Sequence, residues 1–226
     1  MLTRRSRTVS MLVASLLAWV AVLAVGAPAS QALTFRLTGV IDEINDPYAD
    51  LTGRVSLGDP YVAYLTYDPL ATPYDTDSNG ARYRFSPTGT AFSISLHVGA
   101  ITTATDPAGT GWIRVNDGPT ITSPGLPDLL QMTTSNVLAT GANVLTTEIL
   151  LSDWGQTAFS STDLPDSLDL DDFDVGHVAF AAFESSWALA FGSIQTLTLI
   201  PEPGTATLVL VGLAGMALRR RPRATR

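Results

Sequence analysis

The segment Thr90–Val98, TAFSISLHV, alternates apolar and polar side chains, which indicates a β-strand with one buried face. Its apolar members, Phe92, Ile94, Leu96 and Val98, would all lie on that face. Similar short runs lie on both sides of it between clusters of Gly, Pro and Asp, at 33–38, 53–57, 61–67, 81–86, 112–115, 129–134, 144–151, 177–183, 187–191 and 194–200. No convincing amphipathic helix interrupts them. The pattern therefore predicts an all-β fold, an antiparallel β-sandwich or jelly-roll-like body over residues 33–200.

The charge of the chain is distributed unevenly. It has 226 residues, 13 basic and 21 acidic groups, two His and no Cys, and every basic residue is Arg. Five of these arginines and 20 of the acidic residues lie within 33–200, so the body has a formal charge of −15. Such a body repels phosphate backbones, and we expect no nucleic-acid partner. The lack of Cys excludes disulfides, thiolate metal sites and a cysteine nucleophile.

The N-terminus has the pattern of a secretory signal peptide over residues 1–32. Arginines at positions 4, 5 and 7 precede an apolar run, Val9–Val25, and small residues follow. Ala32 is the expected cleavage residue, with 27–29 as a rival site. We expect export through the Sec translocon; a twin-arginine route and an uncleaved anchor helix are the alternatives.

The C-terminal tail, 201–226, has three parts. Pro201, Glu202 and Pro203 form a motif that cannot extend a strand or helix, which keeps the backbone accessible. The apolar run 204–218 predicts a transmembrane helix, although about 22 Å of helix is shorter than the roughly 30 Å hydrocarbon core. The arginine-rich end, 219–226, has the cytoplasmic stop-transfer charges, which are Arg219, Arg220 and Arg221.

This tail resembles the PEP-CTERM sorting signal of Gram-negative bacteria that make exopolysaccharide; the same tail is also described as an ice-binding protein C-terminal domain. The resemblance implies an exosortase as partner, a transient stay in the inner membrane, and release or display at the cell surface. A plain membrane anchor is the alternative interpretation. Ice binding by the body is not expected, because its Thr pairs are adjacent and would point to opposite faces of a strand.

A calcium loop is one interpretation of Asp75, Asp77, Asn79 and Gly80, whose spacing places oxygen ligands at alternate positions. The twelfth position of such a loop is Ser86, where a bidentate Glu belongs. An Asp- and Asn-rich turn between strands explains the same residues. We therefore expect no cofactor other than this possible calcium ion.

Six aspartates between residues 163 and 174 offer paired carboxylates, which could form a glycosidase pair or a calcium site. They crowd a segment rich in Leu, Pro and Asp, which favours a solvated loop. Neither His97 nor His177 lies in a recognisable catalytic motif, and no serine-hydrolase elbow or phosphate loop is present. We predict that the protein is not an enzyme and has no catalytic residues.

The expected function is that of an exported structural or adhesive protein in association with exopolysaccharide. A carbohydrate- or calcium-binding surface module is the alternative, since aromatic side chains could stack on sugar rings. The candidates are Trp112, Trp154, Trp187, Tyr61, Tyr64, Tyr67, Tyr74 and Tyr83, although most aromatic residues in a sandwich belong to the core.

Overall fold

The computed structural model describes residues 32–201, except 48, 78–79, 86–91, 107–108, 118–125, 139–143 and 184–186. The prediction of an all-β fold is confirmed for this part of the chain, where the only helical element is a short 3-10 turn at Leu170–Asp172. The strands are β1 (Leu33–Asn45), β2 (Pro60–Tyr67), β3 (Asp75–Asp77), β4 (Gly80–Phe85), β5 (Phe92–Val98), β6 (Ile101–Thr105), β7 (Gly111–Asn116), β8 (Asp128–Leu138), β9 (Val144–Asp153), β10 (Val175–Phe183) and β11 (Trp187–Ile200).

All eleven strands belong to one antiparallel sheet with the order β3-β4-β7-β8-β6-β5-β2-β1-β11-β10-β9. The sheet curls, because β8 has three partners: β7 along its first half, β6 at its end, and β9 along nearly its whole length. The curl encloses an apolar interior.

Alternation of buried and more exposed side chains along strands such as β1, β2 and β5 builds that interior. Phe35 and Leu37 of β1, Ile94 and Leu96 of β5, and Ile149 of β9 are all fully buried, while their sequence neighbours are more exposed. The alternation that identified β5 in the sequence therefore has the expected physical cause, since successive side chains point to opposite faces of a strand. Phe35 also stacks on Tyr67 of β2, with 5.8 Å between the ring centroids.

The side chain of Tyr61, from β2, packs against the β1–β11 pair at a point where each of these two strands has a glycine. Its hydroxyl donates a hydrogen bond to the carbonyl oxygen of Ser193 at 3.0 Å. A Cβ atom on Gly39 would lie 1.9 Å from that same oxygen and 2.7 Å from the Tyr61 ring, and one on Gly192 would also lie 2.7 Å from the ring. The two glycines therefore make the space that the phenol occupies.

Four strand predictions need correction, and one of them is β3 (Asp75–Asp77), for which the sequence pattern indicates a turn or a calcium loop. The run Gly53–Leu57 is not a strand but a turn, because Gly53 has a φ of 74° and Leu51 accepts hydrogen bonds from the N–H groups of Arg54 and Val55. The β6 strand (Ile101–Thr105) was missed, since its Thr-rich sequence lacks strong apolar alternation. The runs 187–191 and 194–200 form one strand, β11, which has an irregular register with β1 near Thr38 and Gly39.

The predicted signal helix and transmembrane helix lie outside the described residues. Within residues 32–201, as far as they are described, no helix is long and apolar enough to cross a membrane.

We predict that Gly39→Ala destabilises the fold by roughly 1–3 kcal/mol, because the added methyl group meets backbone on one side and a buried ring on the other. Equilibrium denaturation of the purified protein measures this. Thr198→Ala is the matched control, since this exposed side chain lies on the outer face of the same strand pair and should change stability by no more than about 0.5 kcal/mol. Equal stabilities of the two variants would contradict the packing described here.

Candidate functional site

A groove of about 710 Å³ lies between two segments, 69–73 and 158–167. The second segment belongs to the long connection between β9 and β10, which contains the acidic cluster noted in the sequence. Its geometry depends on how that connection is held against the end of the sheet.

Asp153, the last residue of β9, fixes the start of the connection. Its Oδ1 atom accepts the N–H of Gly155 at 2.7 Å, and its Oδ2 atom accepts the N–H groups of Thr157 at 2.6 Å and Ala158 at 3.0 Å. The Thr157 hydroxyl donates to the same Oδ2 atom at 3.1 Å. These hydrogen bonds hold the pKa of Asp153 below its ordinary value, and the bond from the Thr157 N–H has the largest effect.

Three further contacts hold the groove wall. The Oδ2 atom of Asp128 accepts the N–H of Phe159 at 2.9 Å. The Tyr67 hydroxyl donates to the carbonyl oxygen of Pro165 at 2.7 Å, and the Tyr83 hydroxyl donates to that of Thr162 at 2.9 Å. Burial, and then the charge of Asp166 near Tyr67 and Asp163 near Tyr83, raises the pKa of both phenols, so both remain donors at physiological pH.

Asp128 and Asp153 belong to a row of four aspartates at this end of the sheet. Asp128 pairs with Asp153 across β8 and β9. Asp117 follows the last pair of β7 and β8, and Asp174 precedes the first pair of β9 and β10. Asp128 and Asp153 are buried, Asp117 is half-buried and Asp174 is exposed, so the row lies at the opening of the sheet's interior. Asp174 also accepts the N–H of Trp154 at 2.8 Å.

The opposite wall of the groove is more apolar. It contains Pro69, Leu70 and Pro73, and Leu70 is 74% exposed. Asp68 fixes this turn, because its Oδ1 atom accepts the N–H of Leu70 at 2.9 Å. The described residues that line the groove include no Lys, Arg or His and provide hydroxyl and carboxylate groups on Thr72, Tyr83, Ser160, Ser161, Asp163, Asp166 and Ser167. The groove therefore favours a neutral or cationic ligand with hydroxyl groups over an anion.

The groove shows no arrangement typical of a nucleophile and its base. The Ser161 hydroxyl donates to the Oδ2 atom of Asp163 at 3.2 Å, but both groups are exposed. His97 contacts the Thr102 hydroxyl at 2.7 Å on the outer face of β5, and His177 packs edge-on against Phe191, both outside the groove lining. A general acid needs an apolar setting, which neither Asp163 nor Asp166 has.

The acidic cluster lies in a solvent-exposed loop. All six aspartates between 163 and 174 are exposed, while apolar residues between them pack on the core, as Leu164 does with 5% exposure. Within the described residues, no three acidic or histidine side chains form a group that could hold a metal ion.

The calcium candidate occupies a short hairpin of β3 and β4. Asp75 pairs in register with Arg82, and their side chains form an exposed ion pair at 3.3 Å. Asp77 pairs with Gly80, so Asp75–Asp77 and Gly80 belong to paired strands, and residues 78–79 between them lie outside the described residues. The Asp77 side chain and the whole of Asn79 lie outside the described residues, so the calcium site stays a prediction.

The sorting residues are described only at their inner boundaries. Ala32 directly precedes β1, and Pro201 directly follows β11 and is exposed. Glu202, Pro203, Arg219, Arg220 and Arg221 lie outside the described residues.

The aromatic candidates divide into two groups. Tyr61, Tyr67 and Tyr83 are fully buried in the core, as expected for most aromatic residues of a β-rich body. Tyr74 and Trp154 are 60% and 62% exposed and remain able to stack on a ligand. Tyr64 is exposed on β2, Trp112 is half-buried, and the Trp187 side chain lies outside the described part.

Sequence reasoning did not identify Asp117, Asp128 or Asp153, and of these Asp128 and Asp153 hold the start of the connection by accepting its N–H groups. A signal was present, because Asp128 has the same parity as Leu130 and Asp153 the same parity as Leu151. An aspartate at a core-facing position of a strand indicates a buried carboxylate with dedicated donors.

Comparison of the chain with known proteins finds no matching family model, no similar curated protein and no similar solved structure. The candidate site is therefore interpreted from its own geometry.

We predict that Tyr67→Phe and Tyr83→Phe each lower the free energy of unfolding by about 0.5–1.5 kcal/mol, because each removes one hydrogen bond to the groove wall. Hydrogen exchange should also quicken within 158–167. Tyr64→Phe is the control, since its hydroxyl is on the outer face. An unchanged exchange rate in both core variants would show that the phenols do not hold this wall.

Proposed function

We propose that this protein is an exported cell-surface protein, sorted and processed by an exosortase, with a structural or adhesive role near exopolysaccharide. In this proposal the β-rich body is jelly-roll-like and is flanked in the precursor by a signal helix and a C-terminal transmembrane helix. The protein is inserted transiently in the inner membrane and is then released or displayed. It is not an enzyme.

The observation that supports the proposal most is the position of the body between the two predicted address segments. The sheet begins at Leu33, one residue after the expected signal cleavage at Ala32, and ends at Ile200, one residue before the Pro-Glu-Pro motif. Pro201 is already exposed and outside the strand. Removal of either segment would therefore leave every strand of the sheet intact.

The groove supports a second candidate function, carbohydrate binding. One wall offers apolar surface from Leu70 and the prolines, and the other offers the hydroxyl and carboxylate groups of Ser161, Asp163 and Asp166. Sugar rings have the same division between apolar faces and polar edges. The hydrogen bonds of Asp153 and the two phenols preform the polar wall, which lowers the entropic cost of binding.

We predict that Glu202→Ala, or replacement of both Pro201 and Pro203, leaves export intact and blocks processing, because the protease loses its extended recognition segment. The precursor should then accumulate in the inner membrane, which cell fractionation and mass spectrometry would measure. Deletion of 219–226 should instead release unprocessed protein to the periplasm, because a short apolar segment without its flanking arginines is a marginal anchor.

Thr205→Ala is the control for the motif variants, since it leaves all three motif residues in place. Normal trimming and release of the Glu202→Ala variant would overturn the sorting proposal and leave the tail as an anchor. An intact Arg226 in the mature wild-type protein would have the same consequence.

For the second function, we predict that a neutral glucan oligosaccharide such as cellohexaose binds the purified protein. The double variant Ser161→Ala, Asp163→Asn should weaken this binding at least about tenfold, the equivalent of roughly 1.4 kcal/mol. Titration calorimetry gives the affinities. Asp172→Asn, an exposed substitution outside the groove lining, is the control. Equal affinities of the two variants would move the binding site elsewhere.

A further inference from the structure

One oxygen of the Asp128 carboxyl group has no hydrogen-bond partner. Asp128 has no exposed surface at all, and its Oδ1 atom is one of two buried polar side-chain atoms of the described residues without a hydrogen-bond partner. The Oδ2 atom is occupied by the Phe159 N–H. An ionised carboxylate in this setting pays a large desolvation cost, because one of its two oxygens gains nothing in return.

The neighbouring charges do not relieve this cost. Asp117, which directly follows β7, and Asp153 of β9 are the residues beside Asp128 in the row, and Asp174, which directly precedes β10, comes one strand further. All of them are acidic. Asp153 has both oxygens engaged by N–H groups of the 155–158 turn, so it is held as a carboxylate. Asp117 is half-buried, and burial together with the charge of Asp128 raises its pKa.

We propose that Asp117 and Asp128 share one proton in the folded protein, held between the free Oδ1 atom of Asp128 and the carboxyl group of Asp117. A proton needs only two oxygens, and these two residues provide them. A calcium or magnesium ion needs about six oxygen ligands, and no three acidic side chains among the described residues converge on such a site. The shared proton removes one of two adjacent negative charges and gives the buried oxygen a partner.

This pair makes the stability of the groove wall dependent on pH. Two free aspartates release their protons at about pH 4, whereas the folded pair retains one proton to higher pH. The folded state therefore binds more protons than the unfolded state above about pH 4, and stability falls as the pH rises toward neutrality. Asp153 has the opposite effect at lower pH. Because its pKa is lowered in the folded state, its carboxylate stabilises the fold only while it is ionised, and that stability is lost as the pH falls.

Asparagine at either position tests the proposal, because its amide group resembles a permanently protonated carboxyl. In wild-type full-length protein the folding equilibrium constant should fall by up to about tenfold per pH unit where the proton is lost, as the pH rises from about 4 to neutrality. Asp128→Asn should be at least as stable as wild type at neutral pH and should lose this dependence. Asp117→Asn should do the same, and the exposed Asp172→Asn should retain the wild-type profile.

Exchange of the Phe159 amide provides a second measurement, since that N–H binds the same carboxyl group. In wild type its protection factor, which corrects for the pH dependence of the intrinsic exchange rate, should be larger in mild acid than at neutral pH, and in Asp128→Asn the difference should disappear. A flat wild-type profile over this range would overturn the proposal even if Asp128→Asn failed to fold. So would stabilisation of wild type, but not of Asp117→Asn, by millimolar calcium, which would show that the pair binds a metal ion instead.

Discussion

The hydrogen bonds that Asp153 accepts from Gly155, Thr157 and Ala158 determine the course of the chain at one end of the sheet. They turn the backbone directly after β9 and start the connection that returns across the opening of the interior. Leu164 can then enter the core, and Phe159 can contact Phe173 with 5.7 Å between ring centroids. The groove wall, the buried tyrosine contacts and the exposure of the acidic residues all follow from this first turn.

The same connection shows how an acidic segment can be part of a stable fold. Its carboxylates are directed to solvent, where hydration offsets their mutual repulsion, while single apolar residues between them pack inward. Two main-chain carbonyl groups of the connection accept hydrogen bonds from the hydroxyls of Tyr67 and Tyr83 and would lack these donors otherwise. Those phenols thus satisfy the backbone of the connection, and this explains why large polar aromatic residues lie in an otherwise apolar core.

Most strands could be predicted from the sequence because alternation directly reports which face is buried. Alternation does not report the structure where another interaction decides the backbone. Gly53 has a positive φ and forms a turn within a β-rich run. The threonines of β6 form hydrogen bonds with β5 instead of filling the core. The buried hydroxyl oxygen of Thr103, for example, accepts a hydrogen bond from the N–H of Leu96 on β5 at 3.0 Å. The candidate site was less accessible to sequence analysis. The cluster 163–174 identified its location, but the residues that position it, Asp128 and Asp153, become neighbours only through strand register.

Thr34 lies opposite Ile200, so the first and last strands of the body run antiparallel with their outer ends side by side. A tensile force applied between those two ends would separate the β1–β11 ladder one residue pair at a time. It would not load all the hydrogen bonds of the ladder together. A body held by one end only would never experience that load. Adjacent ends also make the domain suitable for insertion into a surface loop of another protein, or for circularisation by a short linker, without distortion of either strand.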